Sequence, residues 1–319
     1  MSVGPSLRFL GKRLIGSAVV LLGVLVVVFA LIQLVPGDPV RLALGTRYTE
    51  EAYQALRAAS GLNRPLGEQF LSYVGGVLTG DLGVSFRNGQ PVTVLLLERL
   101  PATLTLAIAG LLIALALALP AGIWSALHEG KVSDAIVRLG SQFGVSIPDF
   151  WMGILLIGLF STILGWLPPG GYVAFSEDPL EAIRRVILPA LTVGLIAGAI
   201  MTRYVRSAVL DVAQANYIRT ARSKGLPPRI VTGRHIVRNA LVPVLTIAGI
   251  QLATILGGVI VVEVVFAWPG LGRLVFDSVS ARDYPMIQGS ILLIAVMFLA
   301  VNLLIDILYA VVDPRIRLA

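Results

Sequence analysis

Six apolar stretches, each close to the length of a membrane span, limit what this chain can fold into. They run over 14–35, 102–126, 144–167, 186–209, 240–266 and 286–312. A spanning helix needs about 20 apolar residues. The expected fold is therefore an all-α membrane protein with six transmembrane helices. Composition agrees: 56% of the 319 residues are hydrophobic and 13% are charged, whereas a soluble domain carries about 25% charged residues. The mean hydropathy is +0.88.

The net charge of +7 would suggest nucleic acid in a soluble chain. Here basic loops are already required on the cytoplasmic side of a membrane, so no nucleic-acid partner is expected and the lipid bilayer is. The chain has no cysteine, which excludes disulfides, thiolate metal sites and a cysteine nucleophile. Its two histidines, His128 and His235, are too few for a histidine metal cluster, and no metal site or catalytic set is expected.

Orientation follows from the basic residues. The segment 203–238 holds eight Lys and Arg against one acid, Asp211. With both termini inside, the inner segments hold 15 of the 25 basic residues, and the longer outer segments hold ten. The bias predicts cytoplasmic N- and C-termini. The first stretch follows Arg8, Lys12 and Arg13 but ends in Val35-Pro36-Gly37-Asp38. It reads as a retained helix rather than a cleaved signal.

Two blocks follow from this reading: 1–101, the first helix plus an extracytoplasmic insert, and 102–319, a five-helix core. The insert, 36–101, has Thr49 as a candidate N-cap for an amphipathic helix over 49–59. Gly75, Gly76, Gly80 and Gly83 mark its second half as bend-rich. The core carries a loop, 203–239, that is more patterned than a tether. Asn216–Lys224 reads as a helix with small residues at Thr220, Ala221 and Ser223. Gly225 stops it as a C′ residue would, with φ > 0. Pro227 and Pro228 enforce a turn, and Ile230–Asn239 resumes as a helix. Two short helices at an angle suit a docking element, with the small residues as its contact face; the plainer reading is a solvated basic loop.

This loop resembles the signature loop of ABC importer permeases, E-A-A followed by three residues and Gly. Gly225 and Ala221 fit; Arg219 and Thr220 depart from the generic Glu and first Ala, and Pro243 falls later than the generic spacing. Both departures are similar to the dipeptide/oligopeptide/nickel permeases, whose loop reads Y-x-R-T-A-R-A-K-G-L and then R-H-A-L-R-N-A-L-L-P. This chain has Tyr217, Arg219-Thr220-Ala221-Arg222, Lys224-Gly225-Leu226, Arg234-His235, Arg238-Asn239-Ala240-Leu241 and Pro243. The resemblance continues at Pro36-Gly37-Asp38-Pro39, Gly80-Asp81-Leu82-Gly83, Glu98-Arg99-Leu100-Pro101, Ser146-Ile147-Pro148, Gly165-Trp166-Leu167-Pro168, Trp268-Pro269-Gly270 and Asp313-Pro314-Arg315.

The resemblance implies a type I ABC importer permease fold in a bacterial or archaeal cytoplasmic membrane, and the first of two permease chains. It implies a second homologous permease, cytoplasmic ATPase subunits docked on the loop, and an extracytoplasmic solute-binding protein. It assigns coupling to Tyr217, Arg219, Thr220, Ala221, Arg222, Lys224, Gly225, Leu226, His235, Arg238 and Asn239. It implies import of di- or oligopeptides, with nickel or glutathione as alternatives. The chain has no G-x-x-x-x-G-K-[ST] stretch, so it is expected to hold no cofactor, with ATP and Mg on the partner ATPases.

Candidate pathway residues are the intramembrane polar ones: Asp149, Gln251, Glu263 and Asn302. Ionisable groups at depth are functional by default. Asp149, Glu263 and Asp306 lie near span ends, where water-facing or helix-paired structural roles are the plainer reading. That placement argues against a proton-coupled secondary transporter, which wants carboxylates or histidine deep in the spans. An intramembrane protease would need a Ser/His or paired-Asp set at depth, and neither histidine lies in a span. Gly194, Gly198, Gly249, Gly257 and Gly258 read as sites of close helix packing.

Overall fold

The computed structural model describes residues 7–34, 36–45 and 48–312. Val35, Arg47 and the terminal Asp313-Pro314-Arg315 motif lie outside the described residues. Those described are almost wholly helical, with a single isolated bridge between Val84 and Pro91. In order they form α1 (Leu7–Leu34), α2 (Pro39–Leu44), α3 (Glu50–Ala59), α4 (Leu66–Thr79), α5 (Val92–Leu127) and α6 (Val132–Ser146). Then come α7 (Asp149–Ile163), α8 (Pro179–Ala213), α9 (Asn216–Ser223) and α10 (Pro228–Gly258). The last are α11 (Ile260–Val265), α12 (Leu271–Ser280) and α13 (Tyr284–Val312). Helix closes every backbone hydrogen bond within the segment, which is what a hydrocarbon solvent demands.

Five of these helices, α1, α5, α8, α10 and α13, are each long and apolar enough to span a bilayer. The sixth span differs from expectation. A single span over 144–167 is replaced by α6 and α7, bent by 102° at the break between them. Pro148 is the cause. It pushes Ile147 into extended backbone, φ −87° and ψ 124°, and itself carries ψ 142°. The α helix of α7 then widens into π-type turns over Ile157–Ile163.

The chain divides into two compact units. One takes in Leu104–Trp268 and the described residues from Ala300 to Val312; the other takes in Arg8–Thr103 and Pro269–Leu299. In the first, α8 is the hub and packs against α6, α7 and α10. Glycine sets its approach to α5. A Cβ on Gly194 would lie 2.5 Å from Ile113 Cγ2, and one on Gly198 would lie 3.3 Å from the Ala114 backbone. Gly249 is closed off by Ile305 in the same way, so these three glycines serve packing within the subunit, whereas Gly257 and Gly258 face open space.

In the second unit the insert is built by caps. Asp38 caps α2 by accepting from Val40 N–H (2.9 Å) and Arg41 N–H (3.1 Å), and also accepts from the Tyr53 hydroxyl at 2.5 Å. Thr49 caps α3 by accepting from Ala52 N–H at 3.1 Å, as the sequence suggests. The bend-rich half is a correction: Gly75 and Gly76 lie inside the fourteen-residue α4. Of the four, Gly80 (φ 81°) and Gly83 (φ 83°) turn the chain. The α4 terminus closes with Asp81 N–H to Gly76 O and Gly80 N–H to Val77 O. The Asp81 carbonyl comes so near that a Cβ on Gly76 would meet it at 2.6 Å, which accounts for the helical glycine. Asp283 accepts from the Ser85 hydroxyl and from Phe86 N–H (3.1 Å), and Thr103 Oγ1 accepts from Leu271 N–H at 2.7 Å.

Candidate coupling site

The basic segment after α8 folds as the sequence predicts in outline. α9 ends in a two-bond C-terminal turn: Leu226 N–H donates to Ala221 O (3.4 Å) and Gly225 N–H to Arg222 O (3.0 Å). That turn needs left-handed backbone at its fifth position, and Gly225 supplies it with φ 73°. Pro227 and Pro228 then start α10, because the fixed proline φ suits a first helical turn. The expected short second helix is instead the opening of a 31-residue helix, Pro228–Gly258, with π-type turns over Val231–Val237.

One face of α9 is fixed to its own unit. Ile218 has no exposure and Ala221 is 8% exposed. This corrects the expected contact face, because Ala221 is buried and turns inward. Thr220, Ser223, Tyr217, Arg219, Arg222, Lys224 and Leu226 are exposed. Arg238 and Asn239 are exposed at the base of α10, and His235 is half-buried. The Asn239 amide donates to the Tyr217 hydroxyl (3.1 Å) and to His235 O (2.7 Å). The structure thus joins Tyr217, His235 and Asn239 across 22 residues and leaves a basic outer face of Arg219, Arg222 and Lys224.

The pathway candidates sit on four elements. Asp149 is exposed in the first turn of α7, Gln251 is buried in α10, and Asn302 is half-buried in α13. Glu263 is fully enclosed in α11, with 0% exposure, so the water-facing alternative does not hold for it. Its surroundings explain the enclosure. The turn after it is closed by Trp268 N–H to Glu263 O (2.8 Å), and Gly171 N–H donates to Phe266 O (2.9 Å). Tyr172 meets Trp268 edge-on with ring centroids 5.0 Å apart. The 165–178 loop thereby packs over this turn, and Gly170 permits it, since the Phe266 carbonyl leaves no room for a Cβ there.

A second polar cluster was not expected from the sequence. Arg206 of α8 donates to Asp134 of α6 through Nε (2.8 Å to Oδ1) and Nη2 (3.0 Å to Oδ2). Ser125 of α5 donates to the same carboxylate at 2.5 Å, and Gly130 N–H donates at 3.2 Å. The Asp134 side chain is 2% exposed. Arg206 and Ser125 are 72 and nine residues away from Asp134, so no local pattern links them.

Comparison with known proteins agrees with this architecture. The family described as binding-protein-dependent transport system inner membrane component matches residues 118–318, and its N-terminal companion matches 6–107. The chain belongs to that family: it is an integral inner-membrane permease subunit of an ABC importer. Among its relatives is the di/tripeptide transport system permease DppB of Pseudomonas aeruginosa, 41% identical over 98% of this chain and 99% of that one. The glutathione transport system permease GsiC of Pectobacterium atrosepticum is 42% identical with the same coverage. The dipeptide permease DppB of Escherichia coli K12 is 38% identical, also over 98% and 99%. Among solved structures, the inward-facing MetNI methionine ABC transporter aligns with TM-score 0.55 over 69% of this chain and 96% of its own, at 19% identity. That likeness shows the fold alone.

Proposed function

We propose that this subunit moves short peptides into the cytoplasm by alternating access, driven through α9 by a partner ATPase. The observation that carries the coupling role is the arrangement of α9. It is anchored inward by Ile218 and Ala221, stopped by left-handed Gly225, and tied to the base of α10 by Asn239 and Tyr217. Its outer face presents Arg219, Arg222 and Lys224, so a complementary groove would be acidic. The basic density of 203–239 supports a cytoplasmic position for it, with both termini inside.

The cargo reading rests on relatives whose names specify di/tripeptides, dipeptides and glutathione. All are peptides or peptide-like, which favours this class over nickel. A second permease chain, an extracytoplasmic binding protein, and ATP with Mg held by the ATPases complete the proposed assembly. Gln251, Glu263, Asn302 and Asp149 are proposed pathway or support positions, with enclosed Glu263 assigned to support.

The test is charge reversal on the exposed face. Arg219→Glu with Arg222→Glu is expected to leave the chain inserted and the ATPase unanchored, so solute-stimulated ATP hydrolysis and peptide uptake both fall. Gly225→Val forces a β-branched residue to φ 73° and is expected to act likewise. Normal uptake in both variants at normal expression would reduce the segment to a solvated loop.

A further inference from the structure

The unit formed by Arg8–Thr103 and Pro269–Leu299 contains a cavity of 550 Å³, and none of its lining residues belongs to the coupling site. Its walls come from the end of α1, the turn after α3, α4, the 81–86 loop and the start of α13. Ligand pockets occupy about 300–1,000 Å³, so it is large enough for a small solute. Phe29 and Phe86 supply apolar wall; among the described residues, Arg64 and Asp81 are the charged groups lining it.

Three of its polar groups are not committed to the fold. The Arg64 side chain folds back over Gly61, its Nε 3.9 Å from the position of a Cβ there, and it has no ion-pair partner among the described residues. Asp81 spends Oδ1 on Gly83 N–H (2.9 Å), which leaves Oδ2 without a partner among the described residues. Tyr73 is the most telling. Its ring stacks on Phe29 with centroids 6.3 Å apart, and its hydroxyl is buried without a hydrogen-bond partner among the described residues. Buried polar atoms nearly always have one. Burial pushes the Tyr73 hydroxyl up to about 12, so it stays a neutral donor.

We propose that this cavity is a solute site for a short zwitterionic peptide. Arg64 takes the carboxylate, Asp81 faces the ammonium, the Tyr73 hydroxyl donates to a peptide carbonyl, and an apolar side chain lies on Phe29. The peptide class rests on the cargo reading above; the cavity and its uncommitted groups do not. One cation and one anion suit a ligand that carries both charges. A hard metal ion wants several oxygen ligands, and an anionic lipid headgroup wants an excess of cations.

The experiment uses the assembled transporter in lipid nanodiscs without its binding protein, with tritiated leucyl-phenylalanine in equilibrium dialysis. Saturable binding is expected. Arg64→Gln should weaken it about tenfold, the scale of a charge-assisted hydrogen bond, and Tyr73→Phe about fivefold at unchanged thermal stability. The C-terminally amidated dipeptide should bind the unaltered protein as weakly as the free dipeptide binds Arg64→Gln, and that variant should no longer distinguish the two. Binding that ignores both substitutions, no binding at all, or phospholipid alone recovered from the cavity by mass spectrometry would overturn the site. Uptake with the binding protein present separates the two readings. Peptide transport without cavity binding removes this site and leaves the cargo, whereas failure of all peptide transport removes the cargo.

Discussion

Arg206→Met should damage this protein more than Asp134→Asn, although both break the same pair. The asymmetry comes from burial. Asp134 is 2% exposed and Arg206 is 20% exposed. Without Arg206 the carboxylate keeps only Ser125 and Gly130 as close donors. Arg138 also pairs with this carboxylate, but at 3.8 Å and 59% exposed it offsets little of the loss. Breaking a buried pair from one side costs about 3–5 kcal/mol. In Asp134→Asn the stranded Arg206 still reaches solvent and the amide still accepts one bond, so the cost is about 1–3 kcal/mol. The double variant Asp134→Leu/Arg206→Met removes both charges and should fall within about 1–2 kcal/mol of the parent, because apolar replacement of a buried pair is often near neutral.

Thermal unfolding of the detergent-solubilised chain reads the difference. At about 2 °C per kcal/mol for a chain of this size, Arg206→Met should lose about 6–10 °C. The double variant should recover most of that loss. A larger drop for Asp134→Asn than for Arg206→Met, or a double variant that falls by the sum of the two, would refute the burial argument.

Three further outcomes are expected. Because the chain has no cysteine, Gln54→Cys should react with an impermeant maleimide on intact cells and Ser223→Cys only after permeabilisation; the reverse would invert the proposed topology. For Asp38, burial raises the pKa, but the bonds from Tyr53, Arg41 N–H and Val40 N–H outweigh it and hold the carboxyl below its usual value. Its contribution is therefore present above the ordinary carboxylate range and lost as pH falls through the depressed value. Amide protection of 40–44 should drop in acid, and Asp38→Ala should remove about 1 kcal/mol of cap at neutral pH. Gly194→Ala should cost about 1–3 kcal/mol by overpacking, since its Cβ would meet Ile113 at 2.5 Å; an unchanged melting temperature would show that α5 and α8 separate freely.

What the sequence disclosed, and what it hid, divides by range. The Gly225 turn and the Thr49 cap were legible because each is decided within a few residues: a left-handed position calls for glycine, and a first-turn N–H calls for a side-chain oxygen. The long apolar runs were legible because their solvent leaves one choice. The α6–α7 break was written in Ser146-Ile147-Pro148, but hydropathy averages across a proline and so drew one straight span. Asp134 with Arg206, and Asp283 with Ser85, are pairs 72 and 198 residues apart, and no periodicity reports them. For Glu263 the sequence left water-facing and helix-paired roles open, since depth along a helix does not reveal that the 165–178 loop folds over its turn.

Ala221 is the most consequential of these differences. A small residue in a basic helix reads as a low-profile contact surface, yet smallness serves equally to bring a helix close to its own chain. With Ile218 and Ala221 inward, α9 is a short helix pinned on one side and charged on the other. It packs against Val231–Val237 and bonds through Tyr217 to Asn239. Force applied to its basic face therefore has a direct route into α10, which runs unbroken to Gly258. On the proposed docking, a partner groove would need no deep socket for small side chains, only acids placed for Arg219, Arg222 and Lys224. On that proposal transmission would depend on the inward anchor as much as on the outward charge. Ile218→Ala, which spares every exposed residue, should uncouple ATP hydrolysis from uptake while the ATPase still binds. Loss of binding and coupling together would place the whole effect on the basic face instead.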